Sequence, residues 1–180
     1  MKKISITTAA ILMSFMSHAQ LAIETSDVSS ASVSLEFGDE NRGLLLPWVD
    51  SVTAVTGVEN GTLVYDASDH KVKVKYASGW TELSLNDTGT TINPNTSVDG
   101  MDIQSALVEN ADAKVSIGEP TSVNGIFVLE DTDKAMVLPK VSAPHTNIIN
   151  PTPGLIVYDP TTQELAVFNG TDWAYWKAQD

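Results

Sequence analysis

Hydrolytic catalysis needs a nucleophile, a base and a group that orients the base. Beyond its first nineteen residues this 180-residue chain offers two histidines, His70 and His145, and it has no cysteine. No Gly-x-Ser-x-Gly elbow, phosphate loop or His-x-x-x-His spacing accompanies them. Carboxylates are abundant, with 23 Asp and Glu against 10 Lys and Arg, but they fall mainly between the predicted strands. Asp131 and Asp133 are spaced as oxygen ligands of Ca²⁺ could be, and Asp66 and Asp69 flank a turn. Without a full EF-hand or nonapeptide pattern they read first as turn formers. The residue types therefore predict a protein that is not an enzyme and has no metal site and no cofactor.

Two groups of side chains could instead bind or assemble. Lys71-Val72-Lys73-Val74-Lys75-Tyr76 alternates strictly, so Val72, Val74 and Tyr76 should face a core while Lys71, Lys73 and Lys75 line the other side. That stripe could dock an acidic subunit or glycan; as a plain structural feature it protects a sheet edge, since lysines discourage stray strand pairing. The second group is Phe168, Tyr175 and Trp176. Planar aromatics on a sheet face stack on sugars or anchor protein interfaces, and they equally pack against a neighbouring element.

Both groups belong to a repeat. Gly43-Leu44-Leu45-Leu46-Pro47-Trp48-Val49 matches Ala135-Met136-Val137-Leu138-Pro139-Lys140-Val141, 92 residues later. Gly61-Thr62-Leu63-Val64-Tyr65-Asp66 matches Gly154-Leu155-Ile156-Val157-Tyr158-Asp159 at 93, and Trp80 and Trp173 keep that separation. Upstream, Leu35, Phe37 and Asp39 match Phe127, Leu129 and Asp131. Across the copies Lys73 and Lys75 become Ala166 and Phe168, and Glu82 and Leu83 become Tyr175 and Trp176. A polar face has become apolar and aromatic.

Each copy reads as an antiparallel β-meander. Short strands are predicted at 33–37 and 125–129, then the Leu-Pro run, whose Pro47 and Pro139 belong at a strand end or edge because proline cannot donate to a ladder. A hairpin follows, turning at 66–70 in the first copy and at 159–162 in the second, and a further turn at Ser78-Gly79 or Asn169-Gly170 leads to a strand bearing Trp80 or Trp173. Residues 86–113 read as a polar linker with a short helix over 102–110, capped by Asp102, with Ile103, Ala106 and Leu107 on one face. The expected fold is mainly β: repeat 1 over 20–85, the linker over 86–113 and repeat 2 over 114–180. Trp80 and Trp173, at matched positions, are expected mainly in the core.

The N-terminus has Lys2 and Lys3, an uncharged and mostly apolar run from Ile4 to Met16, and small residues in Ser17-His18-Ala19. This predicts a cleaved signal peptide over 1–19 and export to the cell surface or outside, with the periplasm left open. At about 15 residues the run falls short of the roughly 20 needed to span a bilayer. Loss of the two lysines leaves 8 basic residues against 23 acidic, a net charge of −15. Such a chain repels nucleic acid and anionic lipid.

The pattern Gly-Leu-Leu-Leu-Pro, then Gly-Thr-Leu-Val-Tyr-Asp, then a Trp-bearing hairpin resembles repeats in exported surface proteins of the Bacteroidota. Those repeats are similar to bacteriophage tail-fibre modules. Ser116-Ile117-Gly118 looks like the short strand that precedes such a module, and Asp102-Ile103-Gln104-Ser105-Ala106-Leu107 looks like the short helices of trimerising fibre proteins. The resemblance implies attachment or assembly, with homo-oligomerisation or envelope and surface proteins as partners. A carbohydrate-binding module using the aromatics of repeat 2 is the alternative, with a glycan as ligand.

Overall fold

The computed structural model describes residues 20–85, 88–93, 96–105, 110 and 113–177. The expected signal peptide, 1–19, lies outside the described residues, as do Ala106 and Leu107. Among the described residues no helix is long and apolar enough to cross a membrane.

The chain is mainly β. The first copy comprises β1 (Leu21–Ile23), β2 (Val33–Phe37), β3 (Leu44–Leu45), β4 (Trp48–Val49), β5 (Leu63–Asp66), β6 (Lys71–Tyr76) and β7 (Gly79–Glu82). A short helix α1 (Gly100–Ser105) lies in the linker. The second copy comprises β8 (Val115–Ile117), β9 (Phe127–Leu129), β10 (Ala135–Val137), helix α2 (Pro144–Asn147), β11 (Leu155–Asp159), β12 (Glu164–Phe168) and β13 (Trp173–Trp176). The two expected meanders are β5-β6-β7 and β11-β12-β13, both antiparallel.

The remaining strands pair in ways that alternation alone does not predict. β1 runs parallel to β2, and β8 runs parallel to β9 in the same relation. β4 adds to β5 in parallel, and Lys140 bridges to Tyr158 likewise. In both copies the proline carbonyl before that strand accepts the tyrosine N–H, Pro47 O from Tyr65 and Pro139 O from Tyr158, each at 2.9 Å. Proline thus sits where a strand starts, with its carbonyl in use and no N–H to leave unpaired.

The meanders share one core. Tyr65 and Val72 of the first meet Ile156, Val167 and Ala174 of the second, with Leu46 beside them. A second cluster covers the far side of the second meander, where Val141 and Ile148 close over Leu155, Val157, Ala166 and Phe168. β11 is therefore buried on both faces, which explains its unbroken apolar run in place of alternation.

The polar linker is folded against both copies. Tyr65 Oη donates to Asn169 O at 3.0 Å and also lies 3.3 Å from Thr90 O. Thr90 N donates to Asn169 O at 3.2 Å, and Thr171 Oγ1 to Thr88 O at 2.6 Å. Gly100 lies under Trp48, where a Cβ would come 2.3 Å from the indole. α1 begins at Gly100 and is capped by Asp99, whose Oδ1 accepts the Met101 N–H at 3.0 Å, so the expected cap at Asp102 is corrected: Asp102 lies within the first turn. Ile103 points to solvent.

Gly170 has φ 103°, and a Cβ there would lie 2.0 Å from Thr90 O; Gly79 has φ 137° but open space around it. Gly170→Ala should therefore cost about 2 kcal/mol or more, the left-handed penalty of about 1–2 kcal/mol plus displacement of the linker. Gly79→Ala should cost the backbone penalty alone. Thermal melts of the two variants check this, and equal losses would mean that the linker contact contributes nothing.

Candidate assembly interface

The aspartate that ends each Gly-x-x-Val-Tyr-Asp run is the first thing the repeat positions. Asp66 Oδ1 accepts Ser68 N at 3.0 Å and Ser68 Oγ at 2.6 Å, while Oδ2 accepts Val52 N at 3.2 Å and Lys73 Nζ at 2.9 Å. Asp159 Oδ1 accepts Thr161 N at 2.8 Å, and its Oδ2 accepts Ala143 N at 3.1 Å. Each carboxylate ties its hairpin turn to the loop after the Leu-Pro run. Burial alone would raise both pKa values, but the donated hydrogen bonds win and hold both carboxyls below the usual range.

The lysine stripe is not a free cationic face. Lys73 is only 8% exposed, bridging Asp66 and Asp69, and Lys71 pairs with Glu82 at 2.7 Å. The loop held through Val52 crosses this side of the sheet, which is why the alternation does not leave it solvated. Lys75 remains half-buried, with Nζ on Tyr76 O at 2.7 Å. Val72 and Val74 face the core as expected, whereas Tyr76 is 50% exposed. It sits opposite Gly79 at the hairpin tip. Lys73 also occupies the place between Asp66 and Asp69 that a Ca²⁺ ion would need, and Asp131 pairs with Lys134 at 3.0 Å.

The three aromatics do not form one face. Phe168 is 7% exposed, within the second cluster, and packs on Trp173 with ring centroids 5.2 Å apart. Tyr175 lies on the same side, half-buried, its hydroxyl 3.1 Å from His145 Nδ1. Trp176, the next residue of the strand, points to the opposite face; it is 39% exposed and its Nε1 donates to Leu83 O at 2.6 Å. Trp80 and Trp173 are both half-buried. A shallow depression of 570 Å³ opens beside Tyr175, with His145, Asp159, Glu164 and Trp173 among its walls.

What sequence reasoning missed is that the copies exchange strands. β3 of the first copy pairs antiparallel with β11 of the second, at Leu45↔Leu155 and Leu44↔Ile156. β10 of the second copy pairs parallel with β2 of the first, at Met136↔Leu35 and Val137↔Glu36. Each Leu-Pro run thus gives its leucine side to the other copy and its proline side to its own. The available signal was the run itself, an apolar strand too short to close a sheet alone. Solvent-facing apolar residues remain on β3 and on the separate β8-β9 pair: Leu45 on β3, Val115 on β8, and Ile126 and Phe127 at β9. Such side chains on open strand edges favour pairing with another chain.

Residues 116–179 match the family model of the phage tail like trimerisation region, about a third of the chain and nearly all of the second copy. This supports the likeness to phage-tail modules. Searches of curated proteins and of solved structures gave no match.

Proposed function

We propose that this chain is a non-catalytic structural protein that joins copies of itself into a trimer and serves as a module of an exported surface fibre or attachment layer. The observation that carries the reading is the match of 116–179 to a trimerisation region. Those residues coincide with a meander whose sheet already accepts a strand from outside its own copy. The leader-like residues 1–19 and the resemblance to exported surface repeats support export and a place at the cell surface. Assembly is apolar and backbone-driven, because the lysines that could have made it ionic are engaged within the chain.

Copies with a net charge of −15 repel one another, so salt should strengthen association. Between roughly 10 mM and 150 mM ionic strength the screening length falls from about 30 Å to about 8 Å. Sedimentation velocity at the two salt levels should show the multi-copy species retained or increased at the higher one. A species that dissociates as salt rises would show that ion pairs hold it together, contrary to this reading.

One observation favours glycan binding as a second reading, namely the depression beside Tyr175 and Trp173. Affinity electrophoresis through a panel of polysaccharides separates the two. The structural reading predicts no retardation. Retardation that Tyr175→Ala abolishes would replace it with a carbohydrate-binding module.

A further inference from the structure

The exchange of strands between the two copies is incomplete in a specific way. β10 covers the edge of β2, but β9, the repeat counterpart of β2, pairs among the described strands only with β8. β3 covers the start of β11, but on the counterpart strand β5 the same edge is paired only at Tyr65 and Asp66, by β4, and no described strand pairs with Leu63 there. Backbone phasing agrees. Tyr65 N points to that outer edge, where Pro47 receives it, so Leu63, two residues earlier, presents its backbone to the same side. The apolar exposure follows the same places: Phe127 is 40% exposed and Ile126 60%, whereas Leu35, counterpart of Phe127, is buried under β10.

β3 and β10 each end a sheet, so each has a second edge to offer. One copy's second repeat lacks what another copy's first repeat can supply, and the reverse. Resting on the self-assembly reading, we infer that copies of this chain join head to tail by repeating the internal exchange. β10 of one copy pairs antiparallel with the start of β5 of the next, and β3 of that next copy pairs parallel with the open edge of β9.

The registers follow from the internal pairs by the 92- and 93-residue offsets. Leu45↔Leu155 and Leu44↔Ile156 become Val137↔Thr62 and Met136↔Leu63. Leu35↔Met136 and Glu36↔Val137 become Phe127↔Leu44 and Val128↔Leu45. The contact is heterologous, so it closes into a ring at a fixed copy number or runs on as a filament. Closure at three reconciles it with the trimerisation match.

The absence of cysteine makes the register directly testable. Antiparallel partners that do not exchange hydrogen bonds bring Cα atoms to about 4.5 Å, within disulfide range. Val137 and Thr62 correspond to such a pair, because Ile156 and Leu44 point their backbones at each other. Full-length Thr62→Cys and Val137→Cys chains are co-expressed, oxidised and run without reductant, beside each chain alone. The expected result is a covalent two-chain species in the mixture and none from either chain alone. A second mixture, Leu44→Cys with Phe127→Cys treated with a short bis-maleimide, guards against one pair folding poorly. Absence of mixed species from both, while light scattering still shows a multi-copy mass, overturns the register and leaves self-assembly standing. A single-chain mass overturns both.

Discussion

Tyr65→Ala should destabilise the protein by about 3–5 kcal/mol, the range for removing a large buried aromatic. Tyr65 is fully buried where the two meanders meet, 5.3 Å from the Trp48 ring and hydrogen-bonded to Asn169 O of the second copy. Its ring therefore serves both copies at once, and its hydroxyl satisfies a carbonyl at the second copy's turn. Burial, the dominant cause, with Asp69 and Asp99 adding to it, pushes the phenol pKa far above the usual value, so the hydroxyl stays protonated and donating at any working pH. Tyr65→Phe should cost about 1–2 kcal/mol by removing that donor alone. The counterpart Tyr158 is only half-buried, so Tyr158→Ala should cost under about 2 kcal/mol. Urea midpoints at one fixed protein concentration test the series, since association makes stability concentration-dependent. Equal losses for Tyr65→Ala and Tyr158→Ala would mean that the copies do not share a core.

Lys73→Met should cost about 3 kcal/mol, because it leaves Asp66 buried without its cation and beside Asp69. Burial opposes the charge on Lys73, but its hydrogen bonds to Asp69 and Asp66 prevail and raise its pKa, while Asp66 is held below the carboxylate range. The signs set a pH window. Asp66 contributes stability above its unfolded pKa and loses it as pH falls through the lower folded value. Lys73 contributes below its unfolded pKa and loses it as pH rises through the higher folded value. Lys73→Met should therefore flatten both limbs of the stability profile. The double variant Asp66→Asn with Lys73→Met should cost less than the two singles combined. Additive losses in chemical denaturation would show the pair to be uncoupled.

The hairpins were legible because their signals are local. Alternation in Lys71–Tyr76 and the Gly and Asp turn residues specify β5-β6-β7, and the 93-residue offset carries the same meander to β11-β12-β13. The strand exchange was not, since a two-residue strand such as Leu44–Leu45 has no period and its partners, Ile156 and Leu155, lie 112 and 110 residues away. β1 was missed for the same reason, being three residues long with an exposed edge. The lysine stripe was read from strand parity, and the aromatic group from matched positions in the two copies. Parity placed Phe168 and Tyr175 on one side correctly, but it separates Trp176 from them, and it could not show the segments that bury Lys73 and Phe168. Those covers come from loops, whose paths depend on single anchors such as Val52 on Asp66 and Ala143 on Asp159.

The most direct test of self-assembly is the solution mass of residues 20–180 by size-exclusion chromatography with light scattering, over a dilution series, with calcium and with chelator. The account predicts three times the chain mass in both conditions, unaltered by chelation because the Lys73 ammonium already sits between Asp66 and Asp69. A single-chain mass at every concentration would contradict it.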